Sequence, residues 1–168
     1  MNLSCFVSIK TNHMEALFLA IRTGNIAALQ ELLIATPDLA NGKDQRGFSP
    51  LTLATYMSQV EMVRYLLEKG AEMDAQDAAG NTALMGVCFK GNHELARLLI
   101  QHGSAIDLQN NSGTTALIFA AEYGHTPLVE LLVNHGANKA IADQKGNTAL
   151  EHAQKQGNQE MINLLLAE

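Results

Sequence analysis

Gly47, Gly80, Gly113 and Gly146 stand 33 residues apart, each from the next. Gly70, Gly103 and Gly136 repeat at the same interval, and so do Gly91, Gly124 and Gly157. Three glycine series in phase mean that one structural unit has been copied along the chain. Such units are too small to bury an apolar face alone, so each completes its core against its neighbours. This constraint outranks any local propensity: the chain folds as an array.

Aligning the copies shows what each part does. Ser49-Pro50-Leu51, Thr82-Ala83-Leu84, Thr115-Ala116-Leu117 and Thr148-Ala149-Leu150 each open a short helix. A hydroxyl before Pro or Ala is a helix-start signal, because it accepts from an unpaired first-turn amide. These first helices end near Gly91, Gly124 and Gly157, where a left-handed residue costs glycine nothing. Second helices follow, carrying Tyr65-Leu66-Leu67, Leu98-Leu99-Ile100, Leu131-Leu132-Val133 and Leu164-Leu165-Leu166. With Met62, Val63, Leu95, Leu128, Met161 and Ile162 they form apolar stripes at helical spacing. Between copies the chain turns at Asp44-Gln45-Arg46-Gly47, Asp77-Ala78-Ala79-Gly80, Asn110-Asn111-Ser112-Gly113 and Asp143-Gln144-Lys145-Gly146. Asp or Asn first and Gly fourth is type I turn chemistry.

These units resemble the ankyrin repeat, whose pattern is Asp-x-x-Gly-x-Thr-Pro-Leu-His, a Gly-His turn, and Leu-Leu-Leu-x-x-Gly-Ala. The resemblance covers residues 12–168 and implies an all-α fold with short β-turn or hairpin fingers: a solenoid of five helix–turn–helix units. One ankyrin-repeat domain is expected over 12–168, with units at about 12–43, 44–76, 77–109, 110–142 and 143–168, after an N-terminal extension over 1–11. The first unit has Gly24-Asn25 as its turn and no turn motif before its first helix, and its connector Ala35-Thr36-Pro37-Asp38 lacks the usual Gly. The last carries polar Glu151, Gln154 and Gln156 on its first helix. Both are expected to act as caps of a complete array.

Two departures carry consequences. Thr52, Met85, Ile118 and Glu151 stand where the motif has His, so the bonds between repeats that the resemblance assigns to that His should be missing, with packing in their place at the apolar sites. Ser58 stands where other copies have the turn Gly; a retained left-handed turn would cost Ser on the order of 1 kcal/mol. The Thr-Ala-Leu-Met and Thr-Ala-Leu-Ile wording is similar to that of small bacterial ankyrin-only proteins, some of which assist oxidative-stress enzymes or act as secreted effectors.

Composition narrows the function. Eleven basic against seventeen acidic residues leave a net charge of −6, against the basic footprint that nucleic-acid binding needs. No stretch approaches the ~20 apolar residues of a membrane span. Leu3-Ser4-Cys5 has the form of a lipoprotein cleavage box, but nothing hydrophobic precedes it. Cys5 and Cys88 form no disulfide framework or metal-like pair; a buried Cys88 and a reducing, cytoplasmic setting are expected.

Because stacking occupies the helices, only the turn tips and the outer face of each first helix remain free. The resemblance places these on the concave, partner-binding side. The candidate residues there are Arg22 and Thr23 in the first unit and Arg46, Phe48, Tyr56 and Met57 in the second. The third offers Asn81, Phe89 and Lys90, and the fourth Asn111, Ser112, Thr114, Glu122 and Tyr123. The fifth offers Lys145, Asn147, Lys155 and Gln156. Four of the chain's eight aromatics (Phe48, Tyr56, Phe89 and Tyr123) fall in this set, the composition of a protein-binding hot spot. Alternatively Phe48 and Phe89 fold back over neighbouring repeats. Six basic residues (Arg22, Lys43, Arg46, Lys90, Lys145, Lys155) lie at tips or on first helices, whereas Glu61, Glu68, Glu72, Asp74, Glu94, Asp107, Glu130 and Glu160 lie on second helices and beyond. A less acidic groove is expected, suited to a protein segment with apolar anchors and some acidic character.

No catalytic constellation is legible. His102 and His135 are one repeat apart; at the ~10 Å spacing of packed helices they cannot share a metal at ~2 Å bonds. Near helix C-termini they offset the helix dipole. His93 and His125 occupy turn or helix-start positions, and His152 is isolated. Neither a nucleophile-elbow motif nor a phosphate-cradling loop is present. The expectation is a monomeric, non-enzymatic adaptor or regulator that binds another protein and uses no cofactor or metal.

Overall fold

The computed structural model describes the backbone of residues 3–167 and the side chains of residues 13–167. Ten α-helices lie among the described residues, with no strand. They are α1 (Leu3–Thr23), α2 (Ile26–Ala35), α3 (Pro50–Tyr56), α4 (Val60–Glu68), α5 (Ala83–Lys90), α6 (His93–Gln101), α7 (Ala116–Glu122), α8 (Thr126–Asn134), α9 (Ala149–Gln156) and α10 (Gln159–Leu166), plus a 3₁₀ turn at Pro37–Asn41. The fingers expected between repeats are turns, without strand pairing. Because α1 starts at Leu3, the range expected as an extension enters the first helix from residue 3 onward. Cys5 lies outside the described side chains.

The chain forms two compact units, Met1–Ala78 and Ala79–Glu168. In the first, α1 packs on α2 and α3, and α4 packs on α2 and α3. Leu17, Ile21, Leu29, Leu33, Leu51, Met62 and Leu66 fill its core at 2% exposure or less. In the second, first helices α5, α7 and α9 pack side by side, as do second helices α6, α8 and α10. This places Leu84, Met85, Leu95, Leu99 and Leu117 in a core of aliphatic side chains shared between repeats.

Helix starts follow the chemistry read from the sequence. The hydroxyls of Ser49, Thr82 and Thr115 accept the amides of Thr52, Met85 and Ile118 at 3.1, 3.3 and 3.2 Å. In α9 the partner changes: the Glu151 carboxylate accepts from the Thr148 amide at 2.8 Å and from its hydroxyl. The second helices carry caps of their own, in which the side chains of Asn25, Asn92 and Asn158 each accept an amide three residues on at 3.1 Å. Each of these Asn residues follows the turn glycine directly.

At the sites where the family motif has His, Met85 and Ile118 are 1% exposed; Ile118 packs in the core, and Met85 also accepts the Thr82 amide on its Sδ at 3.5 Å. Thr52 and Glu151 likewise bond back to their own helix-start residues, Thr52 through a 3.0 Å hydroxyl contact with Ser49. Bonds between consecutive repeats come from other side chains. In the second unit, Gln144 Nε2 donates to the Asn111 carbonyl at 2.8 Å, Gln109 Nε2 to the Ala142 carbonyl at 3.2 Å, and Asn158 Nδ2 to Thr126 Oγ1 at 3.0 Å.

Candidate interaction surface

The turn tips are held by their first residue. Asp44 Oδ1 accepts the amides of Arg46 and Phe48 at 2.9 and 3.0 Å, and Asn110 Oδ1 those of Ser112 and Thr114, both at 2.9 Å. Asp143 Oδ1 accepts Lys145 and Asn147 at 2.8 and 2.9 Å, while its Oδ2 meets His152 Nε2 at 3.1 Å. Burial alone would push the Asp143 carboxyl upward; the Asn147 amide, the His152 ring, and the Lys145 amide outweigh it and hold the group at about 2. His152 is therefore a tip-fixing residue. At Gly113, φ is 74° and a Cβ would stand 3.0 Å from the Gln144 amide of the next tip, so positive φ and close approach both require glycine.

In the second unit, Phe89 and Tyr123 pack edge to face, centroids 4.5 Å apart, and remain 41% and 47% exposed. Phe89 thus lies against the neighbouring repeat, as the alternative reading had it, while keeping 41% of its surface exposed. Phe119 completes the cluster, 6.2 Å from Phe89 and 6.4 Å from Tyr123. Sequence reasoning missed it, although its i, i+4 spacing to Tyr123 on α7 is a legible signal. His125 Nε2 lies 3.2 Å from the Phe89 carbonyl, a polar contact from the following repeat.

Other candidates of this unit divide by what they already hold. Lys90, Asn111, Ser112, Glu122 and Lys145 are exposed. Thr114 is not: at 8% exposure it lies beneath the tip, its amide on Asn110, so its side chain does not face outward as expected. Asn81 is half-buried and accepts from Asn110 Nδ2 at 2.8 Å. Lys155 Nζ donates to Asn147 Oδ1 at 2.7 Å, and Gln156 Nε2 to the Glu122 carbonyl. These side chains tie repeats and tips together. The aromatic cluster is the apolar part left open.

In the first unit, Tyr56 and Met57 are 47% and 39% exposed, and Phe48 is half-buried. They line a hollow of about 500 Å³ with Arg22, Asp44, Arg46 and Leu53. An adjoining hollow of about 400 Å³ is lined by Met14, Glu15, Phe18, Arg22, Lys43, Asp44, Gln45 and Arg46. Thr23, though exposed, turns its hydroxyl onto the Leu19 carbonyl at 2.9 Å. Sequence reasoning did not bring Met14, Glu15 and Phe18 to this surface; the i, i+4 spacing of Phe18 and Arg22, whose guanidinium lies 6.0 Å from the ring centroid, was the available sign.

His102, His135 and Cys88 have structural places. His102 and His135 donate Nδ1–H to the Leu98 and Leu131 carbonyls at 2.9 and 2.8 Å, closing the C-terminal turns of α6 and α8. Cys88 is a free thiol at 0% exposure, and burial raises it well above its ordinary value. Among the described residues, no three His, Cys, Asp or Glu side chains gather where a metal could bind, and no helix is long and apolar enough to cross a membrane.

The family model described as ankyrin repeats (3 copies) matches residues 2–77 and 84–168. The chain belongs to the ankyrin-repeat family. Among similar proteins, the mouse ankyrin repeat and SAM domain-containing protein 6 is 36% identical over 76 residues, 45% of this chain and 9% of that protein. The rice protein named probable E3 ubiquitin-protein ligase XBOS33 is 37% identical over 78 residues, 46% of this chain and 15% of that one. The human DNA-binding protein RFXANK is 43% identical over 49 residues, 29% of this chain and 19% of that one. Each alignment therefore spans less than a fifth of the relative.

Proposed function

We propose that this ankyrin-repeat protein is a non-enzymatic adaptor or regulator, working as a cytoplasmic monomer, that holds a protein partner through its turn tips and first helices. The observation that carries this reading is the exposed pair of Phe89 and Tyr123, backed by the half-buried ring of Phe119. Large aromatic side chains left accessible side by side are what a binding hot spot requires. Tyr56 and Met57 extend the same character to the first unit. The polar candidates (Arg46, Lys90, Ser112, Glu122, Lys145) supply the rim, which sets orientation more than affinity.

The test is affinity capture from the native organism with the wild type and with the Phe89→Ala, Tyr123→Ala double variant. Loss of the captured proteins, with an unchanged circular-dichroism spectrum, is expected. Undiminished recovery would remove the aromatic surface from contention.

A further inference from the structure

We propose that the tip and first-helix surface of the first unit is a subsite for an acidic peptide. It takes one Asp or Glu carboxylate between Arg22 and Arg46, and a neighbouring apolar side chain against Tyr56 and Met57. The proposal rests on the protein-binding reading above and names the chemistry of the partner at this place.

The two adjoining hollows share Arg22, Asp44 and Arg46 as a common wall. Arg22 Nη2 stands 3.5 Å from Asp44 Oδ2, and its side chain is 52% exposed. That separation exceeds the ~2.8 Å of a charge-assisted bond, so Asp44 orients the guanidinium without saturating its donors. Asp44 Oδ1 is already committed to the amides of Arg46 and Phe48. The Arg46 guanidinium is exposed and makes no hydrogen bond or ion pair among the described residues. Lys43 Nζ, by contrast, is held by the Gln76 carbonyl at 2.9 Å. Each guanidinium is a planar fork of donors that matches a carboxylate, and both stand at one wall with donors to spare.

Charge selects the ligand. Arg22, Lys43 and Arg46 face Glu15 and Asp44 around this wall, a local excess of one positive charge on a chain whose net charge is −6. A single carboxylate balances that excess, whereas a dianionic phosphate would leave an uncompensated negative charge beside Glu15 and Asp44. Phe48, Leu53, Tyr56 and Met57 line the second hollow with the same arginines, so one short segment can satisfy both the charged and the apolar parts. A positive spot on an acidic surface also steers an acidic segment to this place.

The probe is a synthetic octapeptide of Ser and Ala that carries one Glu and, two residues on, one Phe; counterparts carry Gln or phosphoserine in place of the Glu. Titrated into the isotope-labelled full chain and followed by NMR, the Glu peptide is expected to shift the amide signals of Arg46, Phe48 and Met57. It should bind about fivefold more tightly than the Gln peptide, an advantage that shrinks between about 50 and 300 mM salt. Arg22→Gln and Arg46→Gln should each erase that advantage with the thermal unfolding curve unmoved. The inference is overturned by equal binding of the Glu and Gln peptides, by shifts confined to the Phe89–Tyr123 region, by tighter binding of the phosphoserine peptide, or by no shift at all. Lysate capture that survives both arginine variants but not the aromatic pair removes only this subsite; capture that survives all four substitutions removes the protein-binding reading as well.

Discussion

Ser58 holds φ at 57°, the one positive value outside glycine among the described residues. The sequence already placed it where Gly24, Gly91, Gly124 and Gly157 turn in the other copies, and the backbone keeps their conformation despite the Cβ. Ser58→Gly is therefore expected to be neutral or stabilising by up to about 1 kcal/mol, read by denaturant unfolding; a clear fall in melting temperature would mean that the serine side chain holds this turn. Ser104 is a second residue out of keeping with its copies. At 6% exposure its Oγ has no hydrogen-bond partner among the described residues, while Ala71 and Ala137 occupy the same repeat position, equally buried. An unsatisfied buried hydroxyl costs about 1 kcal/mol or more. Ser104→Ala should raise the melting temperature by about 2–4 °C, and a lowered value would show that the hydroxyl is satisfied in solution.

At the scale of elements, the turn tips at Asp44, Asn110 and Asp143 are small polar locks, each closed by that one side chain. The last is the most elaborate, because His152 on α9 reaches back to Asp143. Asp143 is lowered from its ordinary 3.8 to about 2. Its contribution to stability is thus present above the unfolded pKa, near 3.8, and is lost as pH falls through about 2. Asp143→Asn is expected to be less stable than the wild type at neutral pH, with the gap narrowing steadily from pH 4 down to pH 2. Urea unfolding at several pH values checks this; a gap independent of pH would mean that the carboxylate charge is immaterial to the lock. The helix starts were legible because hydroxyl caps act within three residues. That Glu151 replaces the usual cap acceptor was not, since Thr148 and Glu151 permit either pattern and only their side-chain conformations in the folded chain choose between them.

For the molecule as a whole, the decisive quantities are sign of charge and kind of surface. One similar human protein carries the name DNA-binding, but this chain has a net charge of −6, and a charge of that sign repels a phosphate backbone. Fluorescence anisotropy of a labelled duplex should stay flat on titration with the full chain at physiological salt. Saturable, salt-steep binding would demand a basic patch that outweighs the total. The surface instead offers aromatic and arginine side chains, the residue types that dominate protein–protein hot spots.

The period of 33, the two-helix unit, the helix starts and the turn chemistry were all fixed by order along the chain, because each depends on residues within one repeat or on its copying. Function-bearing contacts were not. That Phe119 joins Phe89 and Tyr123, that Thr114 goes under the tip it was expected to decorate, and that Lys155 and Asn147 occupy each other depend on side chains from different helices or tips meeting in space. Phe18 and Arg22 reach the Asp44 tip for the same reason: packing of α1 on α3 brings together residues more than twenty positions apart. Local spacing can mark which side chains face outward, but only tertiary packing determines which of them already have a partner.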